Sequence, residues 1–179
     1  VTDTDEIERF TGLYDRYHQR VYAYAVGRAG HQLADEVLSE VFLVTWRKLS
    51  EVPGDPLPWL LVVARNVISS EFRASARQQS LAAELESWAS GAEPDIADEV
   101  SERHAVLRAL ATLSDADREI LTLVAWHGLT PGEAAQVTGC STATYFVRLH
   151  RARRRFEQAM SAEPAPRPLA ANRAERQPQ

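Results

Sequence analysis

Apolar residues recur at three- and four-residue steps through most of this chain, the spacing of one face of a helix. Ile7, Phe10, Leu13, Tyr14, Tyr17, Val21 and Tyr24 predict a first helix, closed by Gly27 and Gly30. Leu33, Val37, Leu38, Val41, Phe42, Trp46 and Leu49 predict a second. Pro53-Gly54-Asp55-Pro56-Leu57-Pro58 predicts an ordered turn or loop, because proline lacks the N–H that a helix interior requires. The period resumes with Trp59, Leu60, Val63, Ala64, Val67, Ile68 and Phe72. Leu60 to Val63 alone would suit a strand, and continuation through Phe72 favours a helix.

Residues 78–101 have different chemistry. They hold Glu84, Glu86, Glu93, Asp95, Asp98 and Glu99 with no Lys or Arg, and Ser90-Gly91-Ala92-Glu93-Pro94 breaks any helix there. This segment reads as an acidic linker between a helical unit at 1–77 and a second at 102–160. Residues 161–179 are rich in Pro, Ala and Arg without an apolar period, which predicts a disordered tail. The fold class is all-α, with two small helical domains.

The second unit carries the clearest local signals. Ser114 with Asp117 three residues on resembles a capping box, and Gly128 is a suitable stop. Thr130-Pro131-Gly132-Glu133 places a cap, a proline and an acid where a helix begins. Gly139 ends that short helix, and another starts at Ser141 or Thr142. Two helices around a short glycine turn make a helix-turn-helix. The second of them puts Tyr145, Leu149, Ala152 and Phe156 on one side, for packing. The other side carries Ala143, Val147, His150 and Arg154, flanked by Thr144 and Arg151.

Charge sharpens this picture. The net charge of −5 over 179 residues argues naively against nucleic acid. The acidic linker, however, masks a basic C-terminal third in which Arg148, Arg151, Arg153, Arg154 and Arg155 cluster. Such a run is often a solvated helix face; on a helix-turn-helix it suits DNA, with base contacts near the helix start and phosphate contacts beyond. Cys140 is the only cysteine, and the five histidines are scattered. An internal disulfide and a cysteine-rich zinc site are thereby excluded. No phosphate loop, nucleophile–base arrangement or metal constellation is present, so no catalytic residue, metal or cofactor is expected. No apolar run approaches a membrane span, and Val1 to Phe10 lacks the basic start and apolar stretch of a signal peptide, which predicts a cytoplasmic location.

Leu113-Ser114-Asp115-Ala116-Asp117-Arg118-Glu119-Ile120-Leu121, Gly128-Leu129-Thr130 and Arg148-Leu149-His150-Arg151-Ala152-Arg153 together resemble region 4 of extracytoplasmic-function (ECF) sigma factors. Tyr14-Asp15-Arg16-Tyr17, the run Ala34 to Leu43 with Trp46-Arg47, Trp59-Leu60, Ala64-Arg65-Asn66 and Phe72-Arg73 resemble region 2 of the same family. The likeness covers about residues 6–160, in order. It implies a factor that binds core RNA polymerase and directs transcription initiation. Asp35, Glu36, Ser39 and Glu40 stand where the family meets the polymerase clamp; a solvated face would explain these charges equally well without the resemblance. The loop Glu51 to Pro58 stands where an unstacked base is captured. Arg65, Asn66, Ser69 and Arg73 follow it as minus-10 contacts. Thr144, Phe146, Val147, Arg148, His150, Arg151, Arg154 and Arg155 are the implied minus-35 set. The resemblance also implies an anti-sigma partner, contact with the polymerase flap and a linker threading the polymerase channel; a plain solvated tether is an equal reading of that linker.

Several residues depart from the pattern. Phe146 replaces a basic residue and Val147 a small polar one, which favours apolar contact with thymine methyls over charged readout. Ala134 and Thr138 replace larger apolar residues, predicting a loosely packed first helix of the motif. Region 2 has Arg73 and Arg77 but lacks the usual basic cluster. Two alternatives therefore stand beside the sigma reading: a helix-turn-helix regulator acting without polymerase, and a degenerate sigma-like interaction protein.

Overall fold

The computed structural model describes residues 2–71 and 97–162, all helices and short connections. Among the described residues the first half is three helices: α1 (Thr2–Ala29), α2 (His31–Arg47) and α3 (Pro56–Glu71), each packed on the other two. A single turn of 3-10 helix, Leu49–Glu51, follows α2. The second half has four: α4 (Ala97–Thr112), α5 (Asp115–Ala125), α6 (Pro131–Thr138) and α7 (Thr142–Ala162). Helix α7 is the hub of this half and packs against the other three.

The local chemistry of each boundary is visible. Helix α1 runs straight through Gly27 and stops at Gly30, whose φ of 82° lies in the left-handed region open to glycine. The proline-rich loop is shorter than expected. Helix α3 already begins at Pro56, so Pro56 and Pro58 both lie in its first turn, where the missing N–H groups have no intrahelical acceptor anyway. Residues Leu60 to Val63 are helical. Ser114 caps α5 by accepting from the Asp117 N–H at 3.2 Å. Thr130 and Glu133 form a reciprocal capping box at the start of α6. That arrangement holds the Glu133 carboxyl below its ordinary value, through the Thr130 hydroxyl first and its backbone N–H second. Gly139, at φ 68°, turns α6 into α7, where Ser141 caps by accepting from the Thr144 N–H.

Helix α4 begins inside the segment read as linker: its first five residues, 97–101, precede the expected boundary. The rest of the acidic linker, from 78 to 96, and the tail beyond 162 lie outside the described residues, as do Arg73 and Arg77.

One apolar core runs through both halves. Val21, Ala25, Val37, Val41, Leu60, Leu61 and Ala64 fill the first half; Ile120, Leu123, Tyr145, Leu149 and Ala152 fill the second. Each large apolar side chain taken fully from water contributes about 1.5–3 kcal/mol. Ala134 and Thr138 do not loosen α6. Ala134 is fully buried, Thr138 is buried with its hydroxyl donating to the Ala134 carbonyl, and α6 lies flat against α3. Small side chains let the two helices approach, which is why the expected slack is absent.

Candidate nucleic-acid interface

Helix α7 is held by one face and free on the other. Tyr145 is fully buried and its hydroxyl donates to the Ile120 carbonyl at 2.7 Å, tying the helix to α5. Burial, with the Glu119 charge second, pushes this phenol well above its ordinary value, so it stays a neutral donor. Leu149 and Ala152 continue the buried stripe, and Phe156 is half-buried. Thr144, Phe146, Val147, Arg148, His150, Arg151 and Arg154 are all exposed, as the face reading predicts. Phe146 and Val147 each leave about half of their surface in solvent, at 54% and 51%. Arg148, Arg151 and Arg154 form no hydrogen bond or ion pair among the described residues.

Arg155 behaves differently. Its Nη1 donates to both carboxylate oxygens of Asp117 at 2.8 Å, and Asp117 is largely buried. The sequence placed Arg155 with the phosphate contacts; the fold commits it to bracing α7 against the start of α5.

The first half presents two sets. Asp35, Glu36 and Ser39 are exposed on α2 and Glu40 is partly so, with Leu43 and Trp46 exposed further along the helix. None of the three acids has an ion-pair partner among the described residues. On α3, Asn66 is exposed and Ser69 half-exposed. Arg65 is not free: its Nε donates to Glu119 Oε1 at 3.1 Å, across the seam between the halves.

That seam holds a buried polar cluster that pattern reading missed. Glu119 is 4% exposed. It accepts from the Tyr24 hydroxyl at 2.6 Å and from Arg65, with Arg28 Nε at 3.6 Å. Burial, then the Glu119 charge, raises the Tyr24 phenol well above its ordinary value. Beside them the Arg20 guanidinium donates to the His127 carbonyl, and the Tyr24 ring meets the His127 ring edge-on at 5.7 Å. His127 is buried, and burial with the nearby Arg20 charge brings its pKa down to about 4. An apolar cavity of about 300 Å³ lies alongside, lined by Tyr22, Tyr24, Leu110, Trp126 and His127. Among the described residues no group of three His, Cys, Asp or Glu is placed to hold a metal ion, and no helix is long and apolar enough to cross a membrane.

A three-helix unit followed by a capped helix-turn-helix is the architecture of the regions 2 and 4 of a sigma-70 type factor. Residues 13–78 match the family described as Sigma-70 region 2, and residues 103–156 match Sigma-70, region 4. Over 167 residues the chain is 30% identical to the ECF RNA polymerase sigma factor SigK of Mycobacterium ulcerans, covering 88% of each chain. It is 30% identical over 141 residues to the ECF RNA polymerase sigma factor BldN of Streptomyces coelicolor, covering 75% of this chain and 53% of that one. In fold it is similar to the sigma factor RpoE of Bartonella quintana, solved in complex with the anti-sigma factor NepR, with a TM-score of 0.63 at 21% identity over 87% of this chain and 98% of that one. The chain belongs to the ECF sigma factors of RNA polymerase.

Proposed function

We propose that this protein binds core RNA polymerase in the cytoplasm and directs it to promoters, working by recognition without catalysis of its own. The observation that carries the reading is α7: three uncommitted arginines and two exposed apolar side chains stand on the face opposite the Tyr145–Leu149–Ala152 anchor. Region 4 reads the minus-35 element with Thr144, Phe146, Val147, His150 and Arg151, while Arg148 and Arg154 hold phosphates. Phe146 and Val147 offer apolar contact to thymine methyls where a charged residue would offer hydrogen bonds. Region 2 meets the polymerase clamp through Asp35, Glu36, Ser39 and Glu40, whose unpaired carboxylates suit a basic partner helix. Arg65, Asn66, Ser69 and Arg73 serve the minus-10 element next to the base-capture loop. An anti-sigma factor is the expected inhibitor. The similar Bartonella protein was solved with one.

Multi-round transcription with core polymerase on the gene's own upstream region tests this. Core-dependent transcripts that start at a defined position are expected. Tight specific duplex binding by the protein alone, without core-dependent transcripts, would point instead to an ordinary helix-turn-helix regulator.

A further inference from the structure

We propose that Glu119 is a latch: it holds region 2 closed on region 4 in the free chain, and it occupies the same arginine, Arg65, that promoter DNA needs. The proposal rests on the promoter-reading function above.

Glu119 is carried by α5 in region 4, yet each of its side-chain partners lies in region 2. Tyr24 and Arg28 come from α1 and Arg65 from α3. A buried carboxylate is costly unless charge-assisted partners offset its lost hydration. Here a 2.6 Å phenol bond and two guanidinium groups do so, and all three are lost together if the halves part. The contact is reinforced on both sides: the Arg20 guanidinium donates to the His127 carbonyl, and Arg28 Nη1 donates to the Asp115 carbonyl at 3.3 Å. Beneath this polar seam α3 packs on α6, and the apolar core is continuous from one region to the other.

The closed form cannot read a promoter. Two elements named for positions minus-35 and minus-10 are centred roughly 25 base pairs apart, roughly 85 Å along duplex DNA at 3.4 Å per pair. Helices in direct contact have axes about 8–10 Å apart, and α3 and α6 are in contact. Engagement of both elements therefore requires the seam to open, and opening releases Arg65, one of the residues assigned above to the minus-10 strand. The carboxylate of Glu119 is a stand-in for phosphate in the closed state. DNA and Glu119 compete for one guanidinium, so occupancy of the first disfavours the second.

The test uses the full chain without polymerase. Glu119→Gln keeps the shape and an acceptor for Tyr24 but removes the charge that Arg65 and Arg28 neutralise. Tyr24→Phe removes only the hydroxyl. Asp15→Asn, on the exposed side of α1, makes the same net charge change away from the seam. Small-angle X-ray scattering reports closure, and fluorescence anisotropy with a labelled mixed-sequence 20-nucleotide single strand, at one salt concentration, reports access to the region 2 cations. Glu119→Gln is expected to increase the radius of gyration and to bind the oligonucleotide roughly tenfold more tightly than Asp15→Asn. Tyr24→Phe should move both readouts in the same direction by less. If both seam variants keep the wild-type radius of gyration and bind like Asp15→Asn, the latch is overturned. Opening by Glu119→Gln in a chain that still supports no core-dependent transcript would uphold the latch and overturn promoter reading.

Discussion

Arg118 offers the sharpest test of how region 4 is held together. It is buried, and its guanidinium spans the end of α4: Nε donates to the Leu110 carbonyl at 3.0 Å, and Nη2 to the Ala111 and Leu113 carbonyls at 3.3 and 2.9 Å. Nη1 donates to Asp115 at 3.1 Å. The last carbonyls of a helix have no intrahelical donor, and this arginine supplies one from the next helix. Burial lowers its pKa from the ordinary arginine value, with the Asp115 charge opposing the shift. Arg118→Met keeps most of the volume and removes every donor. Leu110 keeps the Leu113 N–H at 3.2 Å, so the loss falls on Ala111 and Leu113. Two carbonyls stranded at about 1–3 kcal/mol each, less the apolar gain of a buried methionine and the relief of burying a charge, leave a net loss of about 2–4 kcal/mol. That is a large share of a typical total of about 5–15 kcal/mol. Arg118→Lys, with one rotating ammonium in place of a planar fork, should recover about half. Urea unfolding followed by tryptophan fluorescence and by circular dichroism measures both variants. A midpoint for Arg118→Met that differs from wild type by less than about 0.5 kcal/mol would show that water satisfies these carbonyls and would refute the reasoning.

Three further outcomes follow from the same geometry. His127, faced by Arg20 and Tyr24 from α1, has its folded pKa depressed to about 4; the unfolded chain binds the extra proton between about pH 6.5 and 4, so the contribution is whole above that window and lost as pH falls through it, by up to about 3 kcal/mol, and the drop in urea midpoint from pH 7.5 to 4.5 should be smaller for His127→Gln than for wild type. Against a randomised minus-35 library with core polymerase, Arg151→Ala should relax preference at one or two positions and Arg154→Ala should weaken all sequences alike while reducing the salt slope; Arg155→Ala should cost about 0.5–1 kcal/mol of stability through Asp117 and less DNA affinity than Arg154→Ala, and uniform losses for all three would refute the division. Asp35→Arg with Glu40→Arg should abolish capture of core polymerase while leaving the circular dichroism melt within a few degrees of wild type, because Asp35 is exposed and Glu40 partly so, with no ion pair among the described residues to lose.

The parts of the fold that pattern reading reached are those whose causes lie within a few residues. The Ser114 and Thr130 caps, the Gly139 turn and the buried stripe of Tyr145, Leu149 and Ala152 each follow from residues no more than one or two turns apart. Helix α3 was misplaced by its prolines because the same residue that breaks a helix interior begins one without penalty. The interdomain seam was illegible for a different reason. Asp115, Asp117, Arg118 and Glu119 form one charged run, and nothing local separates the three that are buried against partners from the exposed Asp115. Glu119 meets Tyr24 from 95 positions away and Arg65 from 54; Arg155 meets Asp117 from 38. The same distance decides which arginines are available for DNA. Arg65, Arg118 and Arg155 look no different in sequence from Arg148, Arg151 and Arg154, yet the first three are neutralised or spent on carbonyls by the fold. A basic run therefore overstates the free charge that the closed chain presents, and among the described residues that free charge is the part that no acid reaches.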